Sequence, residues 1–139
     1  MMNNYVLNFD NYCWMGNEST APECGGIYCV FSCNRAGSQL LVDELLYIGQ
    51  TANFRRRFEE HTASGRFSPE TAAGKVVFFA YALLDGRSLN ACEAALVYHF
   101  QPRYNESLRE SFSGHDVTTV SAGGRWAFRI AGSFVQNPT

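Results

Sequence analysis

The sequence predicts one domain of mixed α and β structure, of the α+β type, in which a strand hairpin feeds an amphipathic helix and a buried strand feeds a second helix. Three observations carry that expectation. Ile27 to Cys33 and Leu45 to Thr51 are strand-like runs flanking the turn cluster Asn34-Arg35-Ala36-Gly37-Ser38. Asn53 to Ser64 has a helical period, with Phe54 and Phe58 four apart. Val76 to Leu84 is apolar with little alternation, the pattern of a central strand covered on both faces.

Size and charge limit what such a domain can do. A chain of 139 residues, 46% hydrophobic and 14% aromatic, suffices for one compact domain that buries roughly two thirds of its unfolded surface. The formal net charge is −2, and Lys75 is the one lysine beside ten arginines. A generic basic coat for nucleic acid is thereby excluded, and phosphate binding would need a local arginine cluster, whose planar forks suit bidentate contacts. Met1-Met2-Asn3-Asn4 offers no basic segment and no apolar segment follows, so no signal peptide is expected. No run approaches membrane-spanning length. The expectation is a cytoplasmic protein with no membrane partner. Five cysteines, an odd number with no C-x-x-C pair, argue against a zinc site and read as buried reduced thiols.

Taken in order, residues 1–23 carry Tyr5, Phe9, Tyr12 and Trp14 without a clean period, and are read as an irregular arm or short helix packed on the domain. In the first strand, alternation places Tyr28 and Val30 on one face and Cys29, Phe31 and Cys33 on the other. The hairpin brings Tyr28 and Tyr47 onto one sheet. The insertion 34–44 extends it as a wing, with Arg35 near the tip in reach of a nucleic-acid backbone. Asn53 is a plausible N-cap, and Arg57 and His61, four apart, share a face beside the Phe54 and Phe58 stripe.

Beyond a loop with Gly65, Pro69 and Gly74 comes the central strand, which Asp85-Gly86 ends. Ser88 caps the next helix, whose apolar stripe runs Leu89, Cys92, Leu96, Val97, Phe100, with Glu93 inside it. A carboxylate there either borders solvent or has a cation, a metal or a donor beside it. Pro102 stops the helix. Val117 to Ser121, the turn Ala122-Gly123-Gly124 and Arg125 to Ile130 read as a C-terminal hairpin, with Trp126, Phe128 and Ile130 inward and Arg125, Ala127 and Arg129 outward.

Gly26-Ile27-Tyr28, then Tyr47-Ile48-Gly49, then Arg57 and His61 in an R-x-x-x-H spacing make a set that resembles the GIY-YIG nuclease superfamily. Each triplet alone is ordinary strand composition. Together with Asn53, Glu93 and Asn105, in order and on the expected elements, they form a specific pattern over residues 24–105. The resemblance implies a small three-stranded antiparallel sheet flanked by helices. Residues 24–105 would be the catalytic core, 1–23 an arm packed on it, and 106–139 an extension of the same domain.

The resemblance also implies a metal-dependent endonuclease acting on DNA, with one Mg²⁺ or Mn²⁺ per site held by Glu93. Arg57 would contact the scissile phosphate. Tyr28 would take a proton from water, primed by His61, while Tyr47 orients water or phosphate, although base and orienter are interchangeable at this level. Substrate contacts are expected from Asn53, Asn105, Arg35 and Arg56. The size favours a stand-alone enzyme of low specificity, monomer or homodimer. A compact restriction-type homodimer is the second enzyme reading, and a non-catalytic nucleic-acid-binding module is the alternative outside enzymes.

Overall fold

Alternation along one long strand divides the interior into two cores, and the position of the site follows from that division. The structure, a computed structural model, describes residues 2–84 and 88–139. Its strands are β1 (Asn3–Asn8), β2 (Asn11–Trp14), β3 (Gly26–Ala36), β4 (Gln39–Thr51), β5 (Val76–Leu83), β6 (Thr118–Gly123) and β7 (Gly132–Gln136). Its helices are α1 (Phe54–Ser64), α2 (Ser68–Ala72) and α3 (Asn90–Phe100). One face of β3 sends Tyr28 and Val30 into a cluster with Phe54, Phe58, Phe67, Phe79 and Tyr81. The other sends Ile27, Cys29, Phe31 and Cys33 into a cluster with Leu96 and Val97 of α3 and with Tyr5, Leu7 and Val120. The alternation expected for β3 is therefore the one observed.

The main sheet is antiparallel and four-stranded, in the order β2-β5-β3-β4. The expected three strands are β5, β3 and β4, and the sequence reading missed the fourth. That strand, β2, comes from the presumed irregular arm and pairs Asn11–Trp14 with Tyr81–Phe78. A second sheet, β1-β6-β7, joins the two ends of the chain, with β1 parallel to β6 and β6 antiparallel to β7. In β1, Tyr5 and Leu7 point inward and Val6 is exposed.

The C-terminal hairpin exists, but its second arm is Gly132–Gln136 rather than Arg125–Ile130. Between the arms, Arg129 takes a left-handed φ of 68° that breaks the extended backbone a strand needs. Ala127 and Ile130 are consequently buried while Phe128 stays 38% exposed. Four of the cysteines are buried as expected, and Cys24 is exposed.

Local signals explain the helix that bears on the site. The Asn53 side chain accepts from the Arg56 N–H at 3.0 Å, and Gly65, at φ 69°, closes the other end by donating to the carbonyls of His61 and Thr62. Phe54, Phe58 and His61 all lie on the buried face. Helix α3 begins one residue later than a Ser88 cap implies, and the Ser88 hydroxyl accepts from the Asn90 N–H at 3.4 Å. It ends at Phe100 before Pro102. The expected stop at Asp85-Gly86 lies outside the described residues. Among the described residues no helix is long and apolar enough to cross a membrane.

Candidate active site

The site is organised by the register between β3 and β4. Tyr28 pairs with Gly49, and Tyr47 pairs with Val30, so the two tyrosines are diagonal neighbours on one face, their ring centroids 6.0 Å apart. Glycine is required opposite Tyr28. A Cβ on Gly49 would lie 2.6 Å from both the Cζ and the hydroxyl oxygen of Tyr28. At Gly26, with φ 157°, a Cβ would lie 2.1 Å from the Ala82 carbonyl oxygen of β5. The glycines of both triplets thus leave room for close approaches that any side chain would fill.

Helix α1 packs on this face and delivers its polar groups to the Tyr28 phenol. His61 Nε2 lies 2.7 Å from the phenolic oxygen, and Arg57 Nε donates to the same oxygen at 3.4 Å. The oxygen accepts from the guanidinium, which leaves its own O–H directed to the imidazole. Burial, reinforced by the neighbouring Tyr47, pushes the Tyr28 phenol above its usual range, and the Arg57 hydrogen bond opposes that shift. His61, only 4% exposed, is pushed down to about 4 by burial and then by the charges of Arg57 and Arg66. At neutral pH the imidazole is therefore neutral and able to accept a proton. The ion pair of Arg57 with Glu60, at 3.4 Å, is exposed and worth at most about 1 kcal/mol.

Glu93 enters from α3. Half-buried, its Oε1 accepts from the Gln50 amide at 3.0 Å, and the same amide donates to Asn90 Oδ1 at 2.7 Å. Burial raises the Glu93 carboxyl above its ordinary range, opposed by Gln50 and by the charge of Arg57. Its hydrogen-bond partner is thus a neutral amide, and Arg57 acts on it through space. A hard divalent cation fits this oxygen on the chemistry of the donors present. Such a cation takes oxygen ligands and keeps several of its waters, so one carboxylate can be its protein ligand; among the described residues no group of three or more His, Cys, Asp or Glu that could hold a metal ion occurs.

The other expected site residues are placed less directly. Asn53 caps α1 at the edge of the site. Arg56 is exposed on α1, and Arg35 is exposed on the wing opposite Leu40. Asn105 is turned inward, 5% exposed, with its Oδ1 accepting from the Ile48 N–H at 3.1 Å and its Nδ2 donating to the Ile48 carbonyl at 2.9 Å. Both ends of its amide serve the edge of β4 between Tyr47 and Gly49, so it pins the strand that carries them.

Two neighbours escaped the sequence reading. Gln50 follows the second triplet and is the amide that holds Glu93. Arg66 lies 5.5 Å from the centroid of the Tyr47 ring and donates to the Tyr104 carbonyl at 2.6 Å. The available signal was Gly65, because a left-handed C-cap turns the next residue back toward the last helical turn.

A mixed α and β domain thus gathers Tyr28, Tyr47, Arg57 and His61 on one face of its antiparallel sheet, while Gln50 of β4 holds Glu93 of α3. The family model described as the GIY-YIG catalytic domain matches residues 24–105, more than half of the chain. The chain belongs to the GIY-YIG family, a family of nucleases. No curated protein and no solved structure matched the chain significantly.

Proposed function

We propose that this protein is a metal-dependent endonuclease that hydrolyses phosphodiester bonds in DNA, with residues 24–105 as its catalytic core and 1–23 and 106–139 as extensions of the same domain. The observation that carries the proposal is the Tyr28 phenol held between His61 Nε2 at 2.7 Å and Arg57 Nε at 3.4 Å. Hydrolysis needs an activated water and positive charge at the phosphoryl oxygens. Tyr28 takes the proton from water as its own proton passes to neutral His61, and Arg57 stabilises the phenolate as it forms. That geometry favours Tyr28 over Tyr47 as the base.

Arg57, with an exposed guanidinium end, contacts the scissile phosphate, and Tyr47 orients the water or a phosphate oxygen. Glu93 would hold a single Mg²⁺ or Mn²⁺, with Gln50 fixing the carboxylate. When bound, the cation supplies positive charge to the phosphate and to the leaving oxygen. Arg56 on α1 and Arg35 on the wing supply backbone contacts outside the centre, and Asn53 and Asn105 act by positioning α1 and β4.

The test is incubation with supercoiled plasmid, linear duplex and single-stranded DNA in Mg²⁺ or Mn²⁺. Metal-dependent cleavage supports the proposal. Discrete products from linear duplex would add sequence recognition and a restriction-type dimer, whereas binding without cleavage under all conditions would replace the enzyme by a binding module.

A further inference from the structure

We infer that Arg66 is a positioning residue of this centre, a clamp that fixes the Tyr47 ring between the end of α1 and the segment following α3; the inference rests on the nuclease reading of the site. Four contacts hold the residue there. Its backbone N–H donates to the His61 carbonyl at 3.1 Å, which ties it to the last turn of α1. Its guanidinium donates to the Tyr104 carbonyl at 2.6 Å and pairs with Glu106 at 3.2 Å. The guanidinium carbon lies 5.5 Å from the Tyr47 ring centroid, within the range of a cation and π contact.

Tyr104 is itself fixed to the strand bearing Tyr47. Its N–H donates to the Leu46 carbonyl at 3.0 Å, and its hydroxyl donates to the buried Glu70 at 2.7 Å. Arg66 therefore closes a loop of contacts that runs from His61 through Arg66 and Tyr104 to Leu46 and Tyr47. The partner Glu106 is 84% exposed, so the ion pair alone is weak. What an exposed pair does not account for is the carbonyl bond and the ring beneath. The remaining walls around Tyr47 are Tyr28, His61 and Phe67, so loss of Arg66 opens one side of the ring.

The clamp has an electrostatic consequence. The titratable and charged groups facing His61 are the phenols of Tyr28 and Tyr47 from the sheet, Arg57 from α1, and Arg66. Of these, the two arginines disfavour an imidazolium. Removing the Arg66 charge raises the His61 pKa, which a purely mechanical prop would leave unchanged.

The experiment compares wild type with Arg66→Met, Arg66→Lys and Glu106→Gln. It reads the His61 titration by NMR of ¹³C-labelled histidine, and kcat and KM on plasmid DNA with Mg²⁺. In Arg66→Met the His61 titration moves to higher pH and kcat falls roughly 10- to 100-fold with KM unchanged, the scale of a displaced catalytic group. Arg66→Lys restores the titration and part of kcat, and it also serves if Arg66→Met does not fold. Glu106→Gln leaves both readouts at wild-type values. An Arg66→Met protein with wild-type kcat would overturn the inference whatever its titration. If wild type cleaves no DNA, the nuclease reading fails, and the titration still decides whether Arg66 acts on this centre.

Discussion

The phenolic oxygen of Tyr28 sits 2.7 Å from Nε2 of His61, a residue on the opposing helix that is buried beside it. Burial keeps the proton on Tyr28 in the resting protein and keeps His61 neutral. Replacing Tyr28 by Phe removes the atom through which His61 and Arg57 act. We expect kcat to fall by about 10²- to 10⁴-fold, as for loss of a general base, with the melting temperature kept within a few degrees and DNA binding retained. Steady-state kinetics beside a thermal melt check this.

His61 makes stability depend on pH with a definite sign. Its pKa falls from 6.5 to about 4 on folding, so between those values the unfolded chain binds the proton more tightly. The contribution is complete above pH 6.5 and is lost as pH falls toward 4, on the order of 3 kcal/mol in all. Urea denaturation across this range should show a steeper loss in wild type than in His61→Gln, and parallel curves would show that burial does not depress this histidine.

Gly49→Ala adds one methyl group where the Tyr28 ring lies, 2.6 Å from its hydroxyl oxygen. The ring must move, because the contact atoms belong to a buried side chain packed on Phe58. The expected result is a fall in kcat of about 10²-fold with destabilisation of about 1–3 kcal/mol, as for overpacking. Unchanged kinetics would mean that Tyr28 reacts from a different position.

Asn105→Ala leaves the Ile48 N–H and carbonyl of a buried strand edge without partners. At about 1–3 kcal/mol for each unsatisfied group, the loss should exceed that of most surface changes. Equilibrium denaturation gives this number directly. An Asn105→Ala protein as stable as wild type but defective in DNA binding would assign Asn105 to the substrate instead.

Much of the core was legible because its signals are local. Phe54, Phe58 and the Asn53 cap define α1 within a dozen residues, and alternation in β3 assigns Tyr28 and Phe31 to opposite faces. The glycine triplets were readable as a motif, although their physical reason, the space taken by Tyr28 and the approach to β5, needs the register. The missed elements depend on distant partners. Strand β1 pairs Asn3–Asn8 with Thr118–Gly123, and outward Val6 obscures the alternation of Tyr5 and Leu7. Residues 125–130 alternate convincingly in sequence, yet the left-handed Arg129 moves the strand to 132–136. Asn105 was found by position in the motif, but its use on the Ile48 backbone could be seen only once β4 was known to be an edge.

The measurement that bears most directly on the account compares wild type and Glu93→Gln by plasmid cleavage and by thermal melting with and without Mg²⁺. The account predicts cleavage by wild type alone and a rise in its melting temperature with Mg²⁺, equivalent to about 2.7 kcal/mol at a hundredfold excess over Kd. Glu93→Gln should be inert and unresponsive to the metal, while equalling or exceeding wild type in stability without it, because a half-buried charge held only by an amide has been removed. Equal cleavage by the two proteins, or the same Mg²⁺ stabilisation of both, would contradict the placement of the metal at Glu93 and the centre built on it.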